Sequence, residues 1–182
     1  RLRALQDGKR IYMAVPRLAE ERCFVELSAE ALKEKGVALH EAAPWQGAMS
    51  HGELVSPAEM ESIDLVLVGC VAVSNRGGRI GKGAGFADLE IGILRELGLL
   101  KPETPIVAAV HSIQIVEGSA LPMMPHDSPL DWIITPSDVI ETKSDYPRPE
   151  GLDWGQIRDE QYESIPVLSV LKEQLKDRKL DS

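Results

Sequence analysis

Residues 75–88 read Asn-Arg-Gly-Gly-Arg-Ile-Gly-Lys-Gly-Ala-Gly-Phe-Ala-Asp, with five glycines between Gly77 and Gly85. This composition suits a polyphosphate. Glycines let backbone N–H groups approach anionic oxygens with no Cβ in the way. Arg76, Arg79 and Lys82 supply full positive charges, and the start of a following helix adds partial positive charge. Asp88 closes the run, where a carboxylate could hold Mg²⁺ bridging phosphate oxygens. The spacing is neither the Walker pattern nor the dinucleotide GxGxxG pattern. On the residues alone, a tight turn with solvated Arg and Lys side chains is the competing reading.

Such a loop needs a strand before it and a helix after it. The apolar run at residues 63–73 predicts the most buried strand of the chain, and Leu89, Ile93, Leu94 and Leu97 predict an amphipathic helix over residues 86–97. Upstream, residues 10–15 read as a strand ending at Pro16, residues 28–35 as a helix capped by Ser28 and stopped by Gly36, and residues 37–42 as a second strand. Residues 57–61 form a helical turn, and residues 105–110 and 131–135 are further short strands. This rhythm predicts an α/β fold: a three-layer, mostly parallel, Rossmann-like sheet with helices on both faces. Residues 143–151, rich in Pro, Asp and Glu, read as a connector. The helical periodicity beyond it is interrupted at Pro166 and carries Leu168, Leu171 and Leu175 on one stripe. The expected division is therefore a body of residues 1–142 and a connector with a C-terminal helical tail over residues 143–182, packed on the body or on a second subunit.

Composition narrows the partners. The 182 residues suffice for one good core. The formal charge is 20 − 29 = −9, spread along the chain, which argues against nucleic acid or an anionic membrane and leaves a phosphate to a local basic site. Cys23 and Cys70 are far apart and lack CxxC spacing, which fits a reducing compartment. The longest apolar stretch falls short of the ~20 residues that cross a bilayer. A soluble, cytoplasmic protein is expected, and because the sequence opens on Arg1, organellar targeting stays open.

Two motifs carry a resemblance. Residues 76–88 are similar to the R-G-x-R-[IL]-G-x-G-x-G-aromatic-aromatic-Asp signature of the 5-formyltetrahydrofolate cyclo-ligase family, also called methenyltetrahydrofolate synthetases. Downstream, Pro125-His-Asp-Ser-Pro-Leu-Asp-Trp-Ile-Ile-Thr135 is similar to that family's H-D-x-P-[LV]-D-x-[IV]-[IV]-T element. The likeness covers roughly residues 8–142. It implies ATP- and Mg²⁺-dependent closure of 5-formyltetrahydrofolate to 5,10-methenyltetrahydrofolate. Arg79 and Lys82 would act in catalysis, while Arg76, Arg79, Gly81, Lys82, Gly83 and Gly85 would cradle the ATP phosphates. Asp88 would serve Mg²⁺, and Phe86 would line the substrate side.

The departures are as informative. Ala87 stands where the family carries a second aromatic, removing one wall for a pterin ring. Arg17 follows Pro16 near where the family places a substrate-binding Glu, and a basic residue there suits an anionic group. The family's N-terminal helix, with a Lys and an Arg that reach the nucleotide, is not found ahead of Arg1. Ala87 and Arg17 favour a paralogue using the same phosphate site on another metabolite, thiamine-related by resemblance, and loss of the N-terminal basic residues in the native protein would favour a non-catalytic phosphate-binding module. His126 and Asp127 are candidates to orient substrate or phosphate, or to bond the local backbone. His111 ends a strand where open α/β sheets expose ligand-facing residues, although a structural role is the simpler reading. Self-association through the C-terminal helices is a further expectation.

Overall fold

The computed structural model describes residues 1–83, 85–117 and 121–180, with side chains throughout except at Arg17 and residues 175–180. Contacts divide the chain into two units, Arg1–Met60 with Ile157–Ser182, and Glu61–Gln156.

The first unit opens with α1 (Leu2–Gln6), β1 (Ile11–Ala14), β2 (Phe24–Leu27) and α2 (Ala29–Glu34). It continues through α3 (Leu39–Ala42), α4 (Trp45–His51) and β3 (Glu53–Val55). The three strands form an antiparallel sheet with β2 in the centre, pairing Ile11 with Leu27 and Phe24 with Val55. Flanked on both edges, β2 has Phe24, Val25 and Leu27 buried. Ser28 caps α2 as predicted, its Oγ accepting from the Ala31 amide at 3.2 Å.

The strand expected over residues 37–42 is instead a helix. The Glu41 carboxylate reaches back to the Ala38 amide at 3.1 Å, and the Ala38 carbonyl accepts from Glu41 and Ala42. Six residues have no decisive period of their own, and these local bonds satisfy first-turn amides that would otherwise favour a ladder.

The second unit holds β4 (Val66–Val68), β5 (Ala72–Ser74), β6 (Arg79–Ile80), α5 (Phe86–Glu96), β7 (Ile106–Ala109), β8 (Ile115–Val116), β9 (Trp132–Ile134) and β10 (Val139–Glu141). One sheet has the order β10-β9-β7-β4, parallel across β4, β7 and β9, with β10 antiparallel at its edge. A second has the order β6-β5-β8. Residues 63–73 thus supply two strands in two sheets, not one. Nor are they the most buried stretch: Val68 and Val73 are inside, but Leu65 and Leu67 are 53% and 63% exposed.

Among the described residues four strand pairs are antiparallel and three parallel, so the sheets are mixed where mostly parallel pairing was predicted. The connections set this. The links from β5 to β6 and from β9 to β10, residues 75–78 and 135–138, are too short for a crossover and must reverse the chain.

The last elements return to the first unit. Pro166 ends α6 (Asp159–Ser164) and opens α7 (Pro166–Leu180), the position where a missing N–H does least harm. Leu168 and Leu171 are buried as their spacing predicts, while the Leu175 side chain lies outside the described residues. No helix among the described residues is long and apolar enough to cross a membrane.

Candidate functional site

The glycine loop is built in three steps. At the end of β5, the buried Ser74 turns the chain by accepting from the Gly77 amide at its carbonyl (2.9 Å) and from the Gly78 amide at its Oγ (3.1 Å). Gly77 is required there. Its φ is +85°, and a Cβ would meet the Leu130 carbonyl oxygen and the Ser144 Cβ at 2.7 Å each. Two-residue β6 then runs back along β5, and the chain crosses Gly81 to Gly85 into α5. Gly85 enters the helix at φ +70° with no side-chain cap. Nothing lies within 4 Å of where a Cβ would stand at Gly81, Gly83 or Gly85, so there is open space at those three positions. Lys82 is exposed beside it and has no partner among the described residues.

Arg79 points the other way. Its side chain is 3% exposed, and its Nε donates to the Ser128 carbonyl at 2.8 Å. Its Nη2 makes a close ion pair with Asp88 Oδ1, the same oxygen that accepts from the Ser128 amide at 2.8 Å. Ser128 itself is 1% exposed, and its Oγ accepts from Arg95 Nη1 at 3.0 Å. Both sequence motifs therefore meet at one peptide, with amide, carbonyl and hydroxyl of Ser128 all engaged. The neighbouring His126 and Asp127 sit 3.7 Å apart, and Asp127 Oδ2 accepts from the Met124 amide at 2.8 Å, so Asp127 holds its own turn.

The electrostatics follow from burial. Asp88 is pushed above the usual carboxylate range by desolvation, with the Arg79 charge and the Ser128 amide pulling against it. Glu90 is pushed up to about 7, by burial first and by the Asp88 carboxylate second, with Arg79 opposing. Burial raises the half-buried Cys70 thiol, and Arg79 and Asp88 are both close enough to act on it. Burial and then the Arg148 guanidinium lower Arg95 from the usual arginine range, with Asp88 and Asp131 opposing.

The chain after β10 fastens the same region. Arg76 pairs with Asp145 at 2.7 Å on the surface, both well exposed. Arg148 makes a close ion pair with Asp131 and donates to the Thr104 carbonyl at 3.1 Å. Glu96 Oε1 accepts from the Leu152 amide and from Trp154 Nε1, each at 3.0 Å. Leu152 sits over Gly92, where a Cβ would come within 2.7 Å of its Cδ2.

The structure thus brings Arg79 and Asp88 together, seats His126 and Asp127 on the adjoining turn, and leaves Lys82, Gly83 and Gly85 open. Phe86 is half-buried in the first turn of α5. Arg17 belongs to a 3-10 turn of the first unit, and its side chain lies outside the described residues. His111 is exposed and bonds its own turn, Nδ1 accepting from the Ile113 amide at 3.3 Å.

Sequence reasoning missed Ser128, Arg95 and Gln114. Gln114 Nε2 donates to the Cys70 and Val71 carbonyls at 2.9 and 3.1 Å, and its Oε1 accepts from the His111 amide at 2.8 Å. For Arg95 a signal existed: it lies two helical turns from Asp88 on one face of α5. Ser128 acts largely through its backbone, which its residue type does not announce.

The arrangement fits a nucleotide and a metal in a limited way. Glycines with open space around them ahead of a helix start, and a lysine exposed and without a partner among the described residues, suit phosphate oxygens. No group of three or more His, Cys, Asp or Glu side chains among the described residues could hold a metal alone. Mg²⁺ would therefore rest on Asp88, whose Oδ2 takes none of the bonds described, with phosphate oxygens and water completing its shell.

The profile of the 5-formyltetrahydrofolate cyclo-ligase family matches residues 1–136. The human methenyltetrahydrofolate synthase domain-containing protein is 37% identical over 172 residues, covering 94% of this chain and 44% of the relative. The bovine protein of the same name is 35% identical over 170 residues, 93% and 44% of the two chains, and the mouse protein is 35% identical over 176 residues, 97% and 47%. The chain spans less than half the length of these curated relatives.

Proposed function

Because the chain belongs to the 5-formyltetrahydrofolate cyclo-ligase family, we propose that its glycine loop holds the phosphates of ATP with Mg²⁺ and that it acts as a 5-formyltetrahydrofolate cyclo-ligase-like enzyme. The observation that carries this is the open space at Gly81, Gly83 and Gly85, with exposed Lys82 beside it, at the start of α5.

In the proposed reaction the formyl oxygen of the folate attacks the γ-phosphorus and ADP departs. A neighbouring folate N–H nitrogen then attacks the activated formyl carbon and gives up its proton to water, and the oxygen leaves as phosphate, giving 5,10-methenyltetrahydrofolate. Such chemistry asks for positioning and charge neutralisation more than for a strong base. Lys82 and the loop amides neutralise phosphate charge, and Arg76, exposed and paired with Asp145 on the surface, is a second cation that can turn to a phosphate. Mg²⁺ at Asp88 would supply charge neutralisation between phosphates. Phe86, His126 and Asp127 line the substrate side. The proposal extends to a cytoplasmic protein of three-layer, Rossmann-like architecture with an extension from residue 143. It includes self-association through α6 and α7, which sedimentation of the whole chain tests.

Ala87 favours a second reading, in which the same phosphate site serves another, thiamine-related metabolite, because the second wall for a pterin ring is absent. Calorimetric titration with a non-hydrolysable ATP analogue and Mg²⁺, with and without 5-formyltetrahydrofolate, separates the two. Binding that weakens about ten-fold or more in Lys82→Ala and tightens with the folate supports the cyclo-ligase. Binding that depends on Lys82 but ignores the folate supports the second reading. Binding that depends on Lys82, with no turnover of any folate or thiamine compound, points to a binding module, and no nucleotide binding sinks both enzyme readings.

A further inference from the structure

We infer that Arg79 and Asp88 form a buried latch on the Ser128 peptide that sets the shape of the glycine loop, so that Arg79 is a positioning residue and Lys82 is the side chain left to meet phosphate. The functional half of this inference rests on the nucleotide-site reading above; the latch itself does not.

The geometry gives three reasons. First, the Arg79 fork is already occupied: Nε is bonded to the Ser128 carbonyl and Nη2 to Asp88, with the side chain 3% exposed, so turning it toward a ligand would break both bonds and leave Asp88 buried without its cation. Second, Arg79 and Asp88 stand at the two ends of the loop, one in β6 and one in the first turn of α5, and both are tied to one peptide outside it. The separation of the loop's ends is therefore fixed by the turn that carries His126 and Asp127. Third, Lys82 lies between those ends, exposed and unpartnered among the described residues.

An arginine suits the latch because its planar fork reaches two acceptors in fixed directions, whereas a lysine ammonium is a point charge that keeps the charge and loses the fork. Arg79→Lys therefore separates the two roles. A phosphate ligand tolerates that change better than a latch does.

The test combines two measurements on the whole chain: amide hydrogen exchange without ligand, and calorimetric binding of a non-hydrolysable ATP analogue with Mg²⁺ at two salt concentrations. In Arg79→Lys, amides of residues 77–83 and of residues 124–129 should exchange faster together, by about ten-fold or more, and the analogue should bind as weakly as in Arg79→Ala. Lys82→Ala should leave exchange unchanged while weakening binding and flattening its salt dependence. Asp88→Asn, which keeps the side-chain volume, repeats the exchange test should the arginine variants fail to fold. Its two segments should loosen together as in Arg79→Lys.

Unchanged exchange in both Arg79→Lys and Asp88→Asn overturns the latch. Binding retained by Arg79→Lys but lost in Arg79→Ala overturns the positioning role and makes Arg79 a ligand to phosphate. If the parent chain binds no nucleotide, the nucleotide reading falls while the exchange measurement still decides the latch.

Discussion

At the residue scale, the contrast between Lys82 and Arg79 is instructive because both are cations of one short loop and their surroundings give them different work. The sequence identifies them as charges and says nothing of direction. Direction comes from Ser128, where amide, carbonyl and hydroxyl are all engaged inside the protein. The hydroxyl can be tested separately. Ser128→Ala leaves the Arg95 guanidinium, half-buried beside Arg148, without its described acceptor, and should destabilise the protein by about 1–3 kcal/mol in denaturant unfolding. Adding Arg95→Met removes the stranded donor and should recover most of that loss, since deleting both partners is nearly neutral. The motif was legible because glycine and charge are properties of residue type. The latch was not, because two of its three contacts use the Ser128 backbone, which every residue except proline would offer.

At the element scale, the successes and failures separate by the strength of the local signal. The eleven-residue α5 repeats a helical period long enough to read, the six-residue α2 is marked by its Ser28 cap, and both stand where they were predicted. Residues 37–42 are too few for a period to decide, and Glu41 decided for helix. The stretch after β10 carries no period at all and reads as a connector, yet Glu96 on α5 and Asp131, just before β9, hold it down. Glu96 takes both the Leu152 amide and Trp154 Nε1 on one oxygen. Glu96→Ala should therefore cost about 1–3 kcal/mol, and Trp154 fluorescence should shift to the red in the folded variant as the indole loses the Glu96 carboxylate. An unshifted spectrum with parental stability would mean that this stretch is held by other contacts.

At the scale of the whole molecule, pH profile and architecture are properties that single positions do not foretell. Contact along the chain joins Arg1–Met60 to Ile157–Ser182, and no local pattern encodes a pairing across that distance. Stability against pH likewise sums opposite tendencies. Glu59, bonded by the Ser56 amide and hydroxyl and by Arg22, is held at about 2 against an ordinary 4.5, so its stabilisation is present above 4.5 and is lost as pH falls toward 2. Glu90, raised from 4.5 to about 7, acts in reverse: its contribution is complete below 4.5 and is lost as pH rises to about 7. The ligand-free protein should therefore lose thermal stability through Glu90 as pH rises from about 4.5 to about 7. Glu90→Gln should flatten the upper limb, recovering on the order of 2 kcal/mol at pH 7 once partial exposure is allowed for. Finally, Cys23 is sealed in the interior while Cys70 is half-open with its thiol raised. An alkylating reagent therefore meets one slow sulfur in the native chain and two in the unfolded one, so the ratio of single to double adducts in intact mass counts, molecule by molecule, how many chains have come apart.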